Sequence, residues 1–287
     1  MTDSASTSRS RRLPAVLRHW NISVGLLILS VMVIAAIFGP WLAPYDPFMM
    51  ASGPRLSSPN TEHWFGTDEL GRDLFSRVLL GARLSIGIGL VAVAVGLLFG
   101  VAFGMIIAFC PERLKSLLLR VVDIVYSFPD TLLALALVAF MGPGADNATI
   151  AIAISLIPFY ARVTYGLVAV ERSKPYIEAA QIAHSASMRI MRVQVLPNIL
   201  QSLIVLGSIG FSSAILSAAG LSFLGLGVQP PSPEWGSILA SGRNYISRAP
   251  WILIFPGLAI CLTVLGFNLI GDGIRDLTDP KTRQSRT

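Results

Sequence analysis

Three ionisable residues interrupt otherwise apolar stretches of this sequence: Asp123, Asp130 and Arg162. Charge at membrane depth is costly, so it marks a proton relay or a substrate contact unless it is paired or reaches an interface. Arg120 and Asp123 are spaced i, i+3 and can pair locally, Asp130 follows Pro129, and Arg162 can snorkel at the inner interface. Structural roles are therefore the leading expectation for all three. The remaining reactive groups are sparse. Lys115, Lys174 and Lys281 are the only lysines, and none stands in the Gly-x-x-x-x-Gly-Lys-Ser/Thr setting that cradles nucleotide phosphate. His19, His63 and His184 lie far apart, and Cys110 and Cys261 sit within or beside apolar runs. Neither set has metal-ligand or disulfide spacing, so the cysteines are read as packing residues. Gly71-Arg72-Asp73 offers charge, but polar loop residues of this kind are structural or solvated. No catalytic residue, metal site or bound cofactor is expected.

The elements that would position these groups follow from composition. Of 287 residues, 53% are hydrophobic and 13% charged, about half the charge of a soluble domain. A soluble globule of this composition would expose apolar patches that monomers avoid. An all-α integral membrane protein is expected. A spanning helix needs about 20 apolar residues, and six stretches qualify: 22–43, 81–109, 117–140, 148–170, 199–221 and 251–271. The fifth apolar region is too long for one crossing. Pro230, Pro231 and Pro233 crowd its end, so 220–233 should leave the helix as an irregular or re-entrant segment, buried in protein or lining a wet cavity.

Basic residues set the orientation. With the N-terminus inside, 16 of the 22 Lys and Arg residues fall on inner segments and 6 on outer ones. That split places both termini in the cytoplasm by the positive-inside rule. Residues 1–20 form a cytoplasmic tail, with Met1 to Arg12 disordered, and 280–287 a second tail. Arg11-Arg12 resembles a twin-arginine signal, but the apolar stretch behind it is too long for a signal core and is read as an uncleaved first span. Residues 21–80 then hold that span and an external loop, and 81–279 the main transmembrane domain.

Two local patterns stand out. Gly96, Gly100 and Gly104 recur every fourth residue on one helical face, which lets helix backbones approach closely, within the chain or between subunits. Residues 171–198 form a cytoplasmic loop, ERSKPYIEAAQIAHSASMRIMRVQVLPN. Ser173 is expected to cap a short helix with Pro175 in its first turn. Ser185 or Ser187 would cap a second, and Pro197 would punctuate the return to the membrane. Two short helices with apolar faces and no core of their own should dock into a groove on a partner protein.

On these residues the chain resembles the inner-membrane permease subunits of binding-protein-dependent ABC importers. Their cytoplasmic loop carries Glu-Ala-Ala, a glycine four positions on, and a later Leu-Pro; here these are Glu178, Ala179, Ala180, then Leu196 and Pro197. The chain departs at the glycine, where His184 stands, and glycine there would ease the turn. Phe65-Gly66-Thr67-Asp68, Gly71-Arg72-Asp73, Ser76-Arg77 and Gly81-Ala82-Arg83-Leu84-Ser85 resemble the signature of the dipeptide/oligopeptide/nickel group, C-type subunit. Leu221-Ser222-Phe223-Leu224-Gly225-Leu226-Gly227 with Pro230 and Glu234-Trp235-Gly236 are similar to that group as well.

The resemblance implies six transmembrane helices in the MetI-like permease architecture and a heterodimer with a related B-type permease. It also implies two cytoplasmic ATPase subunits, which carry ATP and Mg, and an external substrate-binding protein. Its setting is a bacterial inner membrane. The implied function is half of a translocation path for di- or oligopeptides, driven through the EAA loop by ATP hydrolysis on the partners. The alternatives are a nickel or other small-solute permease of the same kind, and an ion-coupled secondary transporter using Asp123, Asp130 or Arg162. The second would carry an inverted repeat, which the span pattern lacks.

Overall fold

The structure is a computed structural model that describes residues 20–278. The expected tails, the Arg11-Arg12 pair, His19 and Lys281 lie outside those residues. Among the described residues every regular element is helical, apart from one isolated bridge between Thr67 and Asp73. The helices are α1 (Trp20–Leu42), α2 (Leu74–Phe109), α3 (Glu112–Tyr126), α4 (Asp130–Met141), α5 (Ala145–Arg172), α6 (Pro175–Ile182), α7 (Ser187–Arg189), α8 (Leu196–Phe223), α9 (Trp235–Gly242) and α10 (Trp251–Thr278). A π-helical turn, Ile190–Val195, joins α7 to α8.

Among the described residues five helical runs are long and apolar enough to cross a bilayer, and α3 with α4 forms a bent pair that makes a sixth crossing if taken as one. In α1, Trp20 and Trp41 are both exposed, about 32 Å apart along the axis. That spacing suits the two interfaces of a hydrocarbon core about 30 Å thick. Exposed Leu27, Val31, Ile34 and Phe38 cover the lipid side between them.

Three expectations need correction. The second span begins at Leu74, not at residue 81, because Asp73 caps it: Asp73 Oδ2 accepts from Ser76 N at 2.8 Å and Ser76 Oγ at 2.7 Å. The third is not one helix. α3 and α4 meet at 84° across Ser127-Phe128-Pro129, since proline cannot donate to the helix and its ring pushes Phe128 out of the helical region. The fifth continues to Phe223 before the chain turns irregular, three residues past the expected exit at 220. From there the chain folds back into α9, whose first turn is held by buried Glu234. Its Oε1 accepts from Gly236 N and Ser85 Oγ, and its Oε2 from Ser237 N. Cys261 is exposed on α10 rather than buried in the core.

The core is organised by close helix approach. A Cβ at Gly96 would lie 3.0 Å from Ala153 O, at Gly100 2.4 Å from Tyr160 Cβ, and at Gly104 2.5 Å from Ala161 O. The stripe thus lies against α5, and the ascending partners make the two helices parallel. Gly39 on α1 opposes Leu79 on α2, and Gly25 opposes Gly266 on α10. These pairings put the described ends of α1 and α10 beside the loop between α5 and α8. Residues 43–73, 142–144 and 224–250 gather at the opposite end.

That opposite end is closed by a buried polar knot. Asp68 Oδ2 accepts from Arg72 Nε at 2.6 Å and faces Arg77 Nε at 3.5 Å, while Asp68 Oδ1 accepts from Leu70 N and Arg72 N, both at 2.9 Å. His63 Nδ1 lies 2.8 Å from Asp73 Oδ1. Thr67 Oγ1 accepts from Ser57 N at 2.9 Å, and Thr67 O accepts from Trp251 Nε1 at 3.2 Å. Gly66 and Gly71 have φ of 76° and 72°, and a Cβ on either would meet a backbone oxygen within 2.5 Å. Only glycine fits there.

Two stability predictions follow from this packing. Gly100→Ala is expected to destabilise the purified protein by about 1–3 kcal/mol, the usual cost of overpacking. Gly87→Ala, whose Cβ would meet nothing within 4 Å, should be neutral. Asp68→Ala strands two buried guanidinium groups and should cost about 3–5 kcal/mol, against almost nothing for exposed Glu62→Ala. Thermal unfolding in detergent measures all four.

Candidate functional site

The loop between α5 and α8 is anchored to the bundle from below. Ile177 is fully buried and joins Val168 of α5, Val195, Ile199 and Leu203 in one apolar cluster with Val101, Met105 and Ala108 of α2. Ala180 and Leu196 pack onto the same cluster. Glu178, Ala179, Ile182, Ala183, His184 and Pro197 stay exposed on the other side. Ile182 is 72% exposed, and Met188 and Val193 are exposed near it. Water is a poor environment for such a face.

The local starts differ from the expectation. Ser173 does not cap α6; its hydroxyl donates to Val170 O at the end of α5, and Lys174 takes the N-cap place without a side-chain bond, with Pro175 in the first turn. Neither Ser185 nor Ser187 caps the second segment, since Ala186 occupies that position. Pro197 does not punctuate either. Leu196 N donates to Met191 O, a π-type bond, and the helix passes through Pro197 without a stop. The wider π turn absorbs the missing proline donor.

His184 makes the turn that glycine would have eased. It sits at φ 55°, with Ser185 N donating to Ala180 O at 3.1 Å and His184 N to Gln181 O at 3.0 Å. This 6→1 and 5→2 pair is a Schellman ending with His184 at the left-handed position. A non-glycine residue there costs about 1–2 kcal/mol, so the turn is kept against local strain.

Sequence reasoning missed four residues at this end. Buried Glu171 accepts from Lys174 Nζ at 2.6 Å and from the Tyr176 hydroxyl, and Asn198 Nδ2 donates to that hydroxyl at 2.9 Å. The chain of bonds ties the end of α5 through α6 to the start of α8. Desolvation and the Glu171 hydrogen bond raise the Tyr176 phenol above its usual pKa. The legible signal was an acid followed by Lys at i+3 and Tyr at i+5. Arg172 adds a second tie: it donates to Ala108 O and lies 4.6 Å from the Phe109 ring centroid.

The other singled-out residues lie elsewhere. Gly66, Thr67, Asp68, Gly71, Arg72 and Asp73 form the knot at the far end of the bundle, and Gly96, Gly100 and Gly104 lie between the two ends. Asp123 does not pair with Arg120; it faces Arg162 Nε at 3.2 Å, linking α3 to α5. Asp130 accepts from Ser213 Oγ of α8 at 2.7 Å and from Thr131 N at 2.8 Å. Among the described residues no group of three His, Cys, Asp or Glu side chains could hold a metal ion.

Comparison with known proteins places this geometry. Residues 100–284 match the family model described as binding-protein-dependent transport system inner membrane component, and residues 17–59 that of the N-terminal TM domain of oligopeptide transport permease C. The chain is 48% identical to the di/tripeptide transport system permease protein DppC of Pseudomonas aeruginosa (strain UCBPP-PA14), over 91% of this chain and 88% of that one. It is 43% identical to the dipeptide transport system permease protein DppC of Escherichia coli (strain K12), over 93% and 91%. A third relative, the glutathione transport system permease protein GsiD of Escherichia coli O6:K15:H31, is 41% identical over 93% and 88%. The fold is similar to that of a chain in the inward-facing MetNI methionine ABC transporter, with a TM-score of 0.61 and 19% identity over 71% of this chain and 97% of that one. With a family model matched over most of its length and relatives this similar, the chain is a multi-pass membrane protein that belongs to the binding-protein-dependent transport system inner membrane components.

Proposed function

We propose that this chain is one half of the translocation path of an ATP-driven peptide importer in a bacterial inner membrane. Its partners would be a B-type permease, two cytoplasmic ATPase subunits and an external substrate-binding protein. The observation that carries the reading is the two-sided build of α6: Ile177 is locked into the ends of α2, α5 and α8, while Glu178, Ala179 and Ile182 are offered outward. A partner gripping the outer side would move the inner side with it. Relatives named for di/tripeptide, dipeptide and glutathione transport support a peptide-like cargo. Hydrolysis would be supplied by the partners and coupled through Glu178, Ala179, Ala180, His184, Leu196 and Pro197. The knot residues would hold the external entrance in shape.

The bundle end that carries this loop also carries the described ends of α1 and α10, and with the 16 to 6 division of basic residues this supports a cytoplasmic loop. In a variant with Cys110 and Cys261 replaced by alanine, a Ser185→Cys probe should resist impermeant thiol reagents in intact cells and react after permeabilisation. Reaction in intact cells would reverse the orientation.

Coupling is tested in the complex reconstituted with its ATPase subunits. Glu178→Lys and Ile182→Asp should release the ATPase subunits or let them hydrolyse ATP without peptide uptake. His184→Gly should keep uptake, since glycine adopts the same turn freely. His184→Val should impair it, because a β-branched residue at positive φ is a genuine outlier. Normal coupling in all four variants would show that the loop is not the contact.

A further inference from the structure

The break between α3 and α4 opens a cavity of about 530 Å³ beside α5 and α8. Its lining includes Tyr126, Phe128, Asp130, Ser155, Phe159 and Ser213. Ser155 and Phe159 stand half-way along α5, and Ser213 near the middle of α8. If those helices cross the bilayer, the cavity lies near its midplane. A carboxylate is expensive there, and the usual compensation is a basic partner or a wet, functional cavity. Asp123 has its arginine in Arg162. Among the described residues Asp130 has none; its oxygens accept from one hydroxyl and one backbone N–H. Two acceptor sites are thus engaged of the roughly four that a carboxylate offers. Three aromatic rings border the same space, with Tyr126 and Phe159 stacked at 6.2 Å. A carboxylate beside aromatic rings is the chemistry that selects an ammonium group, by charge and by attraction to the ring quadrupole.

We propose that this cavity is a binding station on the translocation path, where Asp130 and the rings of Tyr126, Phe128 and Phe159 receive the ammonium group of a passing peptide. The proposal rests on the peptide-importer reading for its cargo, but the cation preference stands on the cavity alone. Pro129 has two parts in it. It breaks the third span and so creates the space, and it places Asp130 in the first turn of α4, facing Ser213.

The test uses the reconstituted complex with radiolabelled dialanine as the probe. Asp130→Asn should lower ATP-dependent uptake about tenfold, the effect of one lost charge-assisted bond, with ATPase subunits still bound; Asp130→Glu should recover most of it. A second readout is independent of turnover. With Cys110 and Cys261 replaced by alanine, Ser213→Cys should react about tenfold faster with a cationic methanethiosulfonate than with an anionic one. Adding Asp130→Asn should abolish the preference.

Full uptake by Asp130→Asn would overturn the proposal. So would equal or anion-favouring modification rates, which would mean that a cation of the second permease neutralises Asp130. Should Asp130→Asn fail to assemble, the modification ratio decides alone. A cation preference in a wild-type complex that takes up no dialanine would sink the peptide reading and leave the cation site standing.

Discussion

In lipid, apolar side chains gain nothing by leaving their solvent for one another, so helices associate through close packing and shared hydrogen bonds. The contact between α2 and α5 is where this constraint is met most fully. Gly96, Gly100 and Gly104 let the two backbones run side by side, with Tyr160 and Ala161 filling the groove. Other elements take their places from that pair. α8 crosses it through Phe211 against Gly89, and α1 and α10 close around α8 and α2 through their own glycine contacts. The cluster under α6 is built from the lower ends of the same helices. The loop therefore packs directly onto that pair.

Departures from regular helix fall beside the proposed loop contact and the proposed binding cavity. Pro129 breaks the third span and leaves a cavity beside Asp130. A π turn carries the chain past Pro197 beneath the outer loop. His184 holds a left-handed turn next to the exposed Ile182. Each has a local cost in lost hydrogen bonds or backbone strain, and each is held by packing on either side. Strain kept by surrounding structure is the pattern expected at sites under functional constraint.

The polar groups divide by how completely their partners are supplied within the chain. Asp68 holds Arg72 and faces Arg77, and His63 meets Asp73, within the knot, while Glu234 caps α9 and holds Ser85. These acids and bases were written close together or carried in a recognisable signature, yet their role as a closed set needed the fold. Glu171 with Lys174, Tyr176 and Asn198 was not recognised from sequence. The last partner lies 22 residues beyond Tyr176, and only the return of the chain into α8 brings it near.

Some features were fixed before any folding was considered. Low charge and long apolar runs dictate membrane-spanning helices, because a backbone in hydrocarbon must satisfy its own hydrogen bonds. Glycines four apart dictate a close-packing face, and Glu178-Ala179-Ala180 with Leu196-Pro197 carries the resemblance to permease subunits. Proline alone did not say whether it would stop a helix, bend it or be absorbed. Pro129 bends, Pro158 stays inside α5 and Pro197 passes through a π turn. Charge pairing was likewise undecided: Asp123 went to Arg162 on another helix, not to Arg120 one turn away. Periodicity reports which face of a helix is apolar, but which helix meets that face, and what polar partner arrives with it, is set by tertiary packing.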